Sequence, residues 1–558
     1  MMNKKSDPKY IFISGGVLSG IGKGTVSASL SFLLQRHGYK VTSIKCENYL
    51  NVDSGTINPI EHGDPFLCED GTEADMDLGT YERFLGKNVG MDNFITMGQI
   101  YKTVIDRERS FYYKGEDVEA IPHVCDEIIS RIKKAAEKEE AEIVLIELGG
   151  TAGEYQNILY YEASRQMKYR EGDSVLHIHV SYMPIPAHIG EPKSKPTQLS
   201  VKTLNSMGIQ PDFIVARSEK WVDTRRLDRF ALFCNVKKEN IISAPDVETT
   251  IYELPLILAQ QNFEGKVLES LHLKTRRLDL KDWEKLIAKI KAPKEKNIKI
   301  SIVGKYFATG QYNLADSYAA LIEAIKHACW NKEVGLELNF INSELQEKDI
   351  EALVADSDGI IVPIGWGNRG VEGKIKAIKY ARENKIPYLG LCYGMQLATV
   401  EFARNVLHMK DANSTEVNPD TPFPIIHLIP EEERYVRIKS KGVTMRLGAW
   451  DCLIKKGTLT EQIYSKHNAF KDKHKHIVSE RHRHRFEFNN EYRQQLEEAG
   501  MIISGTSLDN FFVEMIELPS DTHPFFYATQ AHPEYKSSPL NPHPVFLEFI
   551  EAALKYRQ

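Results

Sequence analysis

The stretch Gly15-Gly16-Val17-Leu18-Ser19-Gly20-Ile21-Gly22-Lys23-Gly24-Thr25 decides the fold of the first half of this chain. An apolar run from Tyr10 to Ser14 precedes it, a helical pattern from about Thr25 to His37 follows, and a second strand-like run covers Tyr39 to Lys45. Strand, turn, helix and strand in this order form a βαβ unit and predict a parallel sheet. A glycine-rich turn before a helix points backbone N–H groups and the positive end of the helix dipole at phosphate oxygens, and Lys23 adds a charge.

The turn departs from a strict P-loop, because Gly24 rather than Ser or Thr follows Lys23 and the spacing to Gly16 is one residue longer. An ordinary tight connection is the alternative, but the flanking strand and helix favour a phosphate site. Two acids are candidates for magnesium, which prefers carboxylate and phosphate oxygens. Glu147 ends a buried strand pattern, whereas Asp77 lies in an acidic segment and is, on its own, more simply interpreted as a solvated surface acid.

Length and composition limit the classes to which this protein can belong. At 558 residues the chain is longer than one hydrophobic core normally supports, so two large domains are expected. A formal net charge of -6 argues against a nucleic-acid partner, and no apolar stretch reaches the roughly 18 residues that span a membrane. The N-terminal segment has no apolar run of signal-peptide length, so we expect a cytoplasmic protein. The seven cysteines include no CxxC pair, so we expect neither a disulfide framework nor a zinc ribbon.

A charge-dense segment divides the chain. Residues 271–297 have an amphipathic middle and carry Pro293 near their end, so we interpret them as a helical linker. The alternation then restarts with a strand at Ile298 to Val303, a helix from about Asn313 to Trp330 and a strand near Gly335 to Ile341. The expected fold class is α/β, with two doubly wound, mostly parallel sheets in domains covering residues 1–270 and 298–558.

The second domain contains a candidate nucleophile. Gly390-Leu391-Cys392-Tyr393-Gly394 lies between an apolar strand and a helical run, and has the form of a nucleophile elbow with cysteine in the serine position. His532 and Glu534, in the run A-H-P-E, are the candidate base and its orienting acid. The alternatives are a small buried cysteine and a satisfied core histidine, but the elbow and H-P-E in this order favour an acyl-transfer triad.

Segments along nearly the whole chain resemble the CTP synthase family, an ATP-dependent amidoligase domain fused to a class I glutamine amidotransferase domain. In the first half these segments are GKG at 22–24, NVD at 51–53, HGD-F at 62–66, EDGTEADMDLG-YERF at 69–84, ELGGTAGE at 147–154, KSKPTQ at 193–198 and ALFCNV at 231–236. In the second half they are RGVEGK at 369–374, ARENKIPYLGLC-GMQ at 381–396, DANSTE at 411–416, TMRLGA at 444–449, ERHRHRFE-NN at 480–490 and HPE at 532–534. The resemblance implies a P-loop-like first domain, an amidotransferase-like second domain, and amination of UTP to CTP with ammonia that travels internally from the glutaminase.

The resemblance also implies a role for particular residues. ATP phosphates would be held by Gly20, Ile21, Gly22, Lys23, Gly24 and Thr25, magnesium by Asp77 and Glu147, and the ATP base by Arg217, Pro245, Asp246 and Val247. Lys45 would assist at the reacting phosphate, and UTP or CTP would contact Ser19, Glu154, Tyr155, Gln156, Lys193, Ser194, Lys195, Pro196, Thr197, Gln198 and Arg229. Glutamine would be held by Gly365, Tyr393, Gly394, Met395, Gln396, Glu416 and Arg485, beside the triad Cys392, His532 and Glu534. GTP would activate, CTP would inhibit, and the chain would form homotetramers and, as in some members, filaments.

The chain departs from the family pattern in several segments. The family's K-L-D-P-Y is Lys45-Cys46-Glu47-Asn48-Tyr49, P-T-Q-H ends in Leu199, and Arg229 replaces a usual lysine. G-G-T-V-G-D-I-E is Gly149-Gly150-Thr151-Ala152-Gly153-Glu154-Tyr155-Gln156, which loses one acid near the pyrimidine. P-G-G-F-G is Pro363-Ile364-Gly365-Trp366-Gly367, and a β-branched Ile364 would disturb the oxyanion loop if that position needed positive φ. We expect Gly365 to keep the turn.

Three alternatives stay open from the sequence. They are a P-loop ligase of the dethiobiotin synthetase type, an ammonia-dependent CTP synthase with an impaired glutaminase, and a non-catalytic homologue that only forms assemblies. The fused glutaminase and the KSKPTQ segment weigh against the first alternative. The presence of Lys23, Asp77, Glu147 and Cys392 weighs against the loss of catalysis.

Overall fold

The computed structural model describes residues 7–57, 63, 65–188, 190–305, 308–309, 312–313, 318–344, 349–429, 438–440 and 443–558. The chain divides into two compact units: unit 1 comprises Met1–Ser54 and Asp77–Lys291, and unit 2 comprises Gly55–Met76 and Ala292–Gln558. The division at Lys291 falls within the segment interpreted as a linker. Gly55–Met76, which the sequence places in the first domain, packs in unit 2, and we call this segment the arm.

Unit 1 is built on a seven-stranded sheet in which every pair of neighbouring strands is parallel. The strands are β1 Lys9–Gly16, β2 Val41–Glu47, β5 Phe94–Thr96, β6 Ile143–Leu148, β7 Val175–Tyr182, β8 Phe213–Ser218 and β9 Ile241–Pro245. Their order across the sheet is β5-β2-β6-β1-β7-β8-β9. Continuous apolar runs such as YIFI in β1 are buried, as is typical of parallel strands covered on both faces. This sheet confirms the predicted α/β fold.

The helices of unit 1 connect these strands. They are Lys23–Arg36, Met76–Leu85, Met97–Arg109, Cys125–Lys138, Ile158–Glu171, Lys195–Ser206, Thr224–Cys234, Leu254–Ala259, Phe263–Ser270 and Lys281–Lys291. Because β1 lies between β6 and β7, the turn after β1 opens at the carboxyl edge of the sheet, beside the end of β6. In open α/β sheets this edge is where ligands bind.

Unit 2 contains a ten-stranded mixed sheet. The parallel part is β10 Asn297–Gly304, β13 Gly335–Asn342, β14 Gly359–Val362, β15 Tyr388–Leu391 and β24 Phe526–Thr529. The antiparallel part is β18 Ile438–Ser440, β19 Val443–Ile454, β20 Ile477–His484, β22 Ile502–Ser507 and β23 Val513–Glu517. The strand order is β13-β10-β14-β15-β24-β23-β22-β19-β18, with β20 also paired to β19. The nucleophile elbow follows β15, in the parallel part.

Smaller elements complete unit 2. The helices are Ala319–Lys332, Ile350–Val354, Val371–Glu383, Tyr393–Asn405, Leu459–Lys466, Arg493–Glu498 and Pro544–Arg557. Short strands are β3 Phe66–Leu67 and β4 Glu73–Ala74 in the arm, β11 Ala308–Thr309, β12 Tyr312–Asn313, β16 Ala412–Ser414, β17 Phe423–Leu428 and β21 Phe486–Phe488. The helix predicted from about Asn313 begins at Ala319, and residues 314–317 lie outside the described residues, as do His62 and Asp64 of the HGD-F segment.

All seven cysteines are free and buried, in agreement with the expectation of no disulfide framework. Across the described ranges, no helix combines the length and the apolar character needed to cross a membrane.

Candidate active sites

The glycine-rich turn of unit 1 has the backbone conformation that its glycines predict. Gly20 and Gly22 have φ of 72° and 87°, in the left-handed region where glycine carries no steric penalty. The helix Lys23–Arg36 begins directly after Gly22, so its first N–H groups face the turn. Lys23 is buried, and its Nζ donates to the carbonyl oxygen of Gly150 at 2.7 Å. Burial lowers the pKa of Lys23, while Glu147 opposes that shift.

Asp77 and Glu147 meet at the ammonium group of Lys45. Lys45 Nζ donates to Glu147 Oε1 at 2.8 Å and also to Asp77. Tyr81 donates its hydroxyl to the other oxygen of Glu147. Burial raises the pKa of Glu147, and the charge on Asp77 adds to the shift, so a cation is needed to keep both groups ionised. The structure therefore joins three residues that the sequence places far apart.

The same two carboxylates suit a magnesium ion. A Cβ added at Gly24 would lie 2.0 Å from Asp77 Oδ1, which shows that this carboxylate packs against the first turn of the helix. Glu147 lies in β6, next to β1, so both acids lie beside the glycine-rich turn. Hard carboxylate oxygens next to a phosphate site are the donors that Mg²⁺ takes in nucleotide-binding enzymes.

Arg217 connects the glycine-rich turn to the segment expected to bind the ATP base. Its Nε donates to the carbonyl oxygen of Ile21 at 3.2 Å, and its Nη1 donates to the carbonyl of Pro245 at 3.1 Å. Nη2 donates to Asp246 Oδ1 at 2.8 Å. Val247 follows in the same turn. Arg217 thus connects Pro245 and Asp246, two of the residues predicted for the base, to the glycine-rich turn.

The residues expected to contact UTP are only partly brought together. Ser194, Lys195, Gln198 and Arg229 line one cavity of about 660 Å³. Leu199, Lys202, Leu232 and Phe233 complete its wall. The other expected residues do not line this cavity: Ser19, Glu154, Tyr155, Gln156, Lys193, Pro196 and Thr197. Glu154 accepts hydrogen bonds from the N–H and hydroxyl of Thr151, both at 2.7 Å, and so turns into its own loop.

Unit 2 brings together the three residues that the sequence predicts for the triad, and a hydrogen bond joins two of them. His532 Nδ1 lies 2.7 Å from Glu534 Oε1, and all three side chains of Cys392, His532 and Glu534 are buried. Burial lowers the pKa of His532, but the charges on Glu534 and Cys392 outweigh it and raise the pKa to about 10. A histidine with this environment is a strong base for a thiol proton, as a cysteine nucleophile requires.

The elbow is tight for two separate reasons. Cys392 itself carries the unusual backbone, with φ 52° and ψ -99°. Gly394 is needed for space, because an added Cβ would lie 2.0 Å from the carbonyl oxygen of Val362. Gly390 is also crowded, with the Tyr388 hydroxyl 2.7 Å from an added Cβ. The strain therefore lies on the nucleophile, while the glycines allow close packing around it.

A cavity of about 250 Å³ adjoins Cys392. Five of the seven residues predicted to hold glutamine line it: Gly365, Tyr393, Gln396, Glu416 and Arg485. Gly394 and Met395 do not line the cavity. Met395 packs in a hydrophobic core instead. The sequence reasoning missed Trp366, Met445, Arg483, His484, Phe486 and the arm residues Gly55, Thr56 and Ile57. No local pattern links the arm to this cavity, although Arg483 and His484 lie inside the quoted ERHRHRFE segment.

Ile364 does not need the positive φ that would disturb the loop at 363–367. Its backbone is not in the left-handed region and its side chain packs in the core, whereas Gly367 has φ 62°. Gly367 donates its N–H to Glu416 Oε1 at 2.9 Å and accepts the Tyr393 hydroxyl at 2.6 Å. Burial raises the pKa of Glu416, and the Gly367 N–H opposes the shift. The glycine that the loop needs for its turn is Gly367 rather than Gly365.

Comparisons with known proteins match both units. Residues 9–273 match the family described as CTP synthase N-terminus, and residues 313–552 match Glutamine amidotransferase class-I. A CTP synthase of Pyrococcus furiosus is 48% identical over 552 residues, covering 99% of this chain and 98% of its own length. A CTP synthase of Sulfolobus acidocaldarius is 48% identical over 547 residues, covering 98% of this chain and 99% of its own. The solved Trypanosoma brucei CTPS glutaminase domain with bound acivicin is 36% identical, with a TM-score of 0.41, over 46% of this chain and 94% of that one.

These matches run through both units in one order and at nearly half identity, which excludes a ligase that lacks a glutaminase. The chain therefore belongs to the CTP synthase family, the ligases that convert UTP to CTP with ATP and with nitrogen from glutamine.

Proposed function

We propose that unit 1 uses the cluster of Lys23, Lys45, Asp77 and Glu147 to transfer phosphate from ATP to the 4-oxygen of UTP. The observation that carries this assignment is the meeting of both acids at Lys45 beside the glycine-rich turn. The pyrimidine oxygen is a poor leaving group until it is phosphorylated, and ammonia then displaces phosphate. Lys23 and Lys45 supply positive charge to the transferring phosphoryl group, which such reactions need most. Magnesium held by Asp77 and Glu147 would neutralise further phosphate charge.

We infer that unit 2 hydrolyses glutamine through a thioester on Cys392. The proton of Sγ passes to His532 Nε2, while Nδ1 bonds to Glu534. Sγ then bonds to the amide carbon, the C–N bond breaks, and ammonia leaves with the proton from His532. Water next attacks the thioester, which releases glutamate and frees the Cys392 sulfur. Backbone N–H groups at Gly365 and Tyr393 are proposed for the oxyanion. Glu416 is proposed for the substrate ammonium group and Arg485 for its carboxylate, because these opposite charges line one cavity with Cys392.

The regulators and assembly are proposed from the family resemblance. GTP would activate glutamine hydrolysis, CTP would inhibit at the UTP site, and the enzyme would work in the cytoplasm as a homotetramer that also forms filaments. Exposed apolar side chains near the UTP residues support self-association: Leu199, Leu232 and Phe233 are 63%, 77% and 58% exposed. Patches of this kind on a globular protein often mark contact surfaces.

The decisive test is the absorbance change of the pyrimidine ring on mixing UTP and ATP with either glutamine or ammonium. Cys392→Ala should lose CTP formation from glutamine by at least about 10³-fold and retain it from ammonium. Lys23→Ala should lose both reactions while glutamate release from glutamine continues. Near-normal CTP formation by Lys23→Ala from ammonium would refute the phosphate site.

The wild-type protein distinguishes the remaining alternatives in the same assay, run with and without GTP. Synthesis from ammonium without glutamate release from glutamine would reveal an impaired glutaminase. Synthesis from neither source would reveal a non-catalytic homologue.

A further inference from the structure

The side chain of Gln530 contacts the sulfur of the nucleophile. Gln530 Nε2 lies 3.4 Å from Cys392 Sγ, and Gln530 is only 1% exposed. Strand pairing builds this contact, because Leu391 of β15 is opposite Thr529 of β24 and the Cys392 N–H donates to the Thr529 carbonyl at 2.7 Å. Gln530 and Cys392 are therefore the first residues beyond two neighbouring parallel strands. The backbone N–H of Gln530 donates to the Glu514 carbonyl at 2.8 Å, which fixes its position.

The orientation of the Gln530 amide follows from its neighbours. Gln396 donates Nε2 to the carbonyl oxygen of Phe486 at 2.9 Å, and a carbonyl oxygen only accepts. The same Nε2 lies 3.2 Å from Gln530 Oε1, so Gln530 must present its oxygen to Gln396. Its NH₂ group then faces Sγ. Two successive amides thus run from the wall of the glutamine cavity to the nucleophile.

We propose that Gln530 is a further catalytic residue of the glutaminase, whose amide N–H holds and stabilises the Cys392 thiolate. The inference rests on the proposed role of Cys392 as nucleophile. In the resting thiol, Sγ lies 3.8 Å from the carbonyl oxygen of Arg483, which accepts its proton. Once His532 has taken that proton, Sγ is only an acceptor, and the Arg483 carbonyl no longer suits it. Gln530 then supplies the donor that a buried negative sulfur needs.

Gln530→Glu is the sharpest variant, because it is nearly isosteric and keeps an oxygen acceptor for Gln396. It replaces only the donor that faces Sγ, and it places a carboxylate oxygen there. Hydrogen bonds to charged groups contribute about 1.5–3 kcal/mol, so glutamate release should fall by about 10- to 150-fold. Gln530→Met lacks the donor and adds no charge, so its glutamate release should also fall, by about tenfold or more. Gln494→Glu, an exposed glutamine, serves as the matched control.

The second readout is the pH profile of Cys392 alkylation by iodoacetamide, with the modified peptide identified by mass spectrometry. The pH of half-maximal alkylation should rise by about one unit or more in Gln530→Glu, since one unit corresponds to about 1.4 kcal/mol. The control should match the wild type. This measurement does not require glutamine turnover, so it tests Gln530 even if the proposed glutaminase fails.

An alkylation profile that is unchanged in both Gln530 variants would overturn the proposal. A loss of glutamate release with an unchanged profile would do the same, because it would assign Gln530 a purely structural role. Ammonium-dependent CTP formation and the thermal unfolding midpoint report whether each variant is folded.

Discussion

Arg483 Nε donates to Glu73 Oε1 at 2.6 Å, and this ion pair joins residues 410 positions apart. Both side chains are buried, at 3% and 2% exposure. The pair links the arm to β20, next to the cavity that adjoins Cys392. The guanidinium of Arg483 lies 4.7 Å above the Trp366 ring, and its carbonyl oxygen lies 3.8 Å from Cys392 Sγ. Arg483 therefore contacts the arm, Trp366 and Cys392.

Replacing Glu73 should destabilise unit 2 and weaken its glutaminase. Glu73→Ala leaves the Arg483 charge buried without its carboxylate, and breaking such a pair costs about 3–5 kcal/mol. We expect the thermal unfolding midpoint to fall by several degrees and glutamate release to fall by about tenfold or more. Asp451→Ala is the matched control, because Asp451 pairs with Lys471 and both side chains reach solvent, at 31% and 58% exposure, so solvent screens this pair. Equal midpoints for the two variants would contradict this view of the pair.

Adding a methyl group at Gly24 should disable amination without touching the glutaminase. The new Cβ would lie 2.0 Å from Asp77 Oδ1 and would push this carboxylate away from Lys45. Gly24→Ala should lower CTP formation from both nitrogen sources by about 10²-fold or more, the scale of losing one charge-stabilising contact. Ser29→Ala, in the same helix, removes a buried hydroxyl that makes no hydrogen bond in the described part and should be neutral. CTP formation at the wild-type rate in Gly24→Ala would show that Asp77 has no part in the phosphate site.

Glu487 should make the protein less stable as the pH rises. Burial raises its pKa from the ordinary 4.5 to about 9, and neither carboxyl oxygen makes a hydrogen bond among the described residues. Between these values the folded state keeps a proton that the unfolded state releases, so stability falls as pH increases. Glu487→Gln removes this dependence and should raise the unfolding midpoint, relative to wild type, by several degrees more near pH 8 than near pH 5.

The control for this pH effect is Glu491→Gln, because Glu491 is exposed. Its difference from wild type should not depend on pH. A Glu487→Gln difference that is likewise constant from pH 5 to pH 8 would show that the carboxyl ionises freely in the folded protein.

Restoring an acid at Gln156 should strengthen inhibition by CTP. A carboxylate only accepts hydrogen bonds and therefore suits the 4-amino group of CTP, whereas an amide can present a donor or an acceptor. Gln156 is exposed, so the substitution should leave the fold intact. We expect Gln156→Glu to lower the CTP concentration for half-inhibition with kcat unchanged. An inhibition curve that matches wild type, or one reproduced by the surface control Gln495→Glu, would remove Gln156 from the pyrimidine site.

Much of each candidate site could be predicted because its residues lie in short sequence segments with recognisable patterns. The run from Tyr10 to Thr25 combines an apolar strand, glycines and a lysine, and the structure has the expected strand, turn and helix there. The elbow around Cys392 likewise follows an apolar strand and precedes a helix. Alternation of strand and helix patterns predicted the parallel sheet of unit 1 and the parallel part of unit 2. These features depend on neighbours within a few residues, so local periodicity reveals them.

By itself, then, the sequence determined the two α/β folds and the family and predicted the reactive side chains, since hydrophobic period, turn chemistry and motif order are local properties. The tertiary structure alone decided that the arm packs in unit 2, that Lys45 bridges Asp77 and Glu147, and that Gln530 faces Cys392. It also decided that Gly367, rather than Ile364 or Gly365, takes the positive φ of the loop at 363–367. Contacts of this kind join residues that are far apart in the sequence, and their proximity depends on strand order and register. The packing that selects these contacts produces no periodic pattern in the sequence, so local analysis does not reveal them.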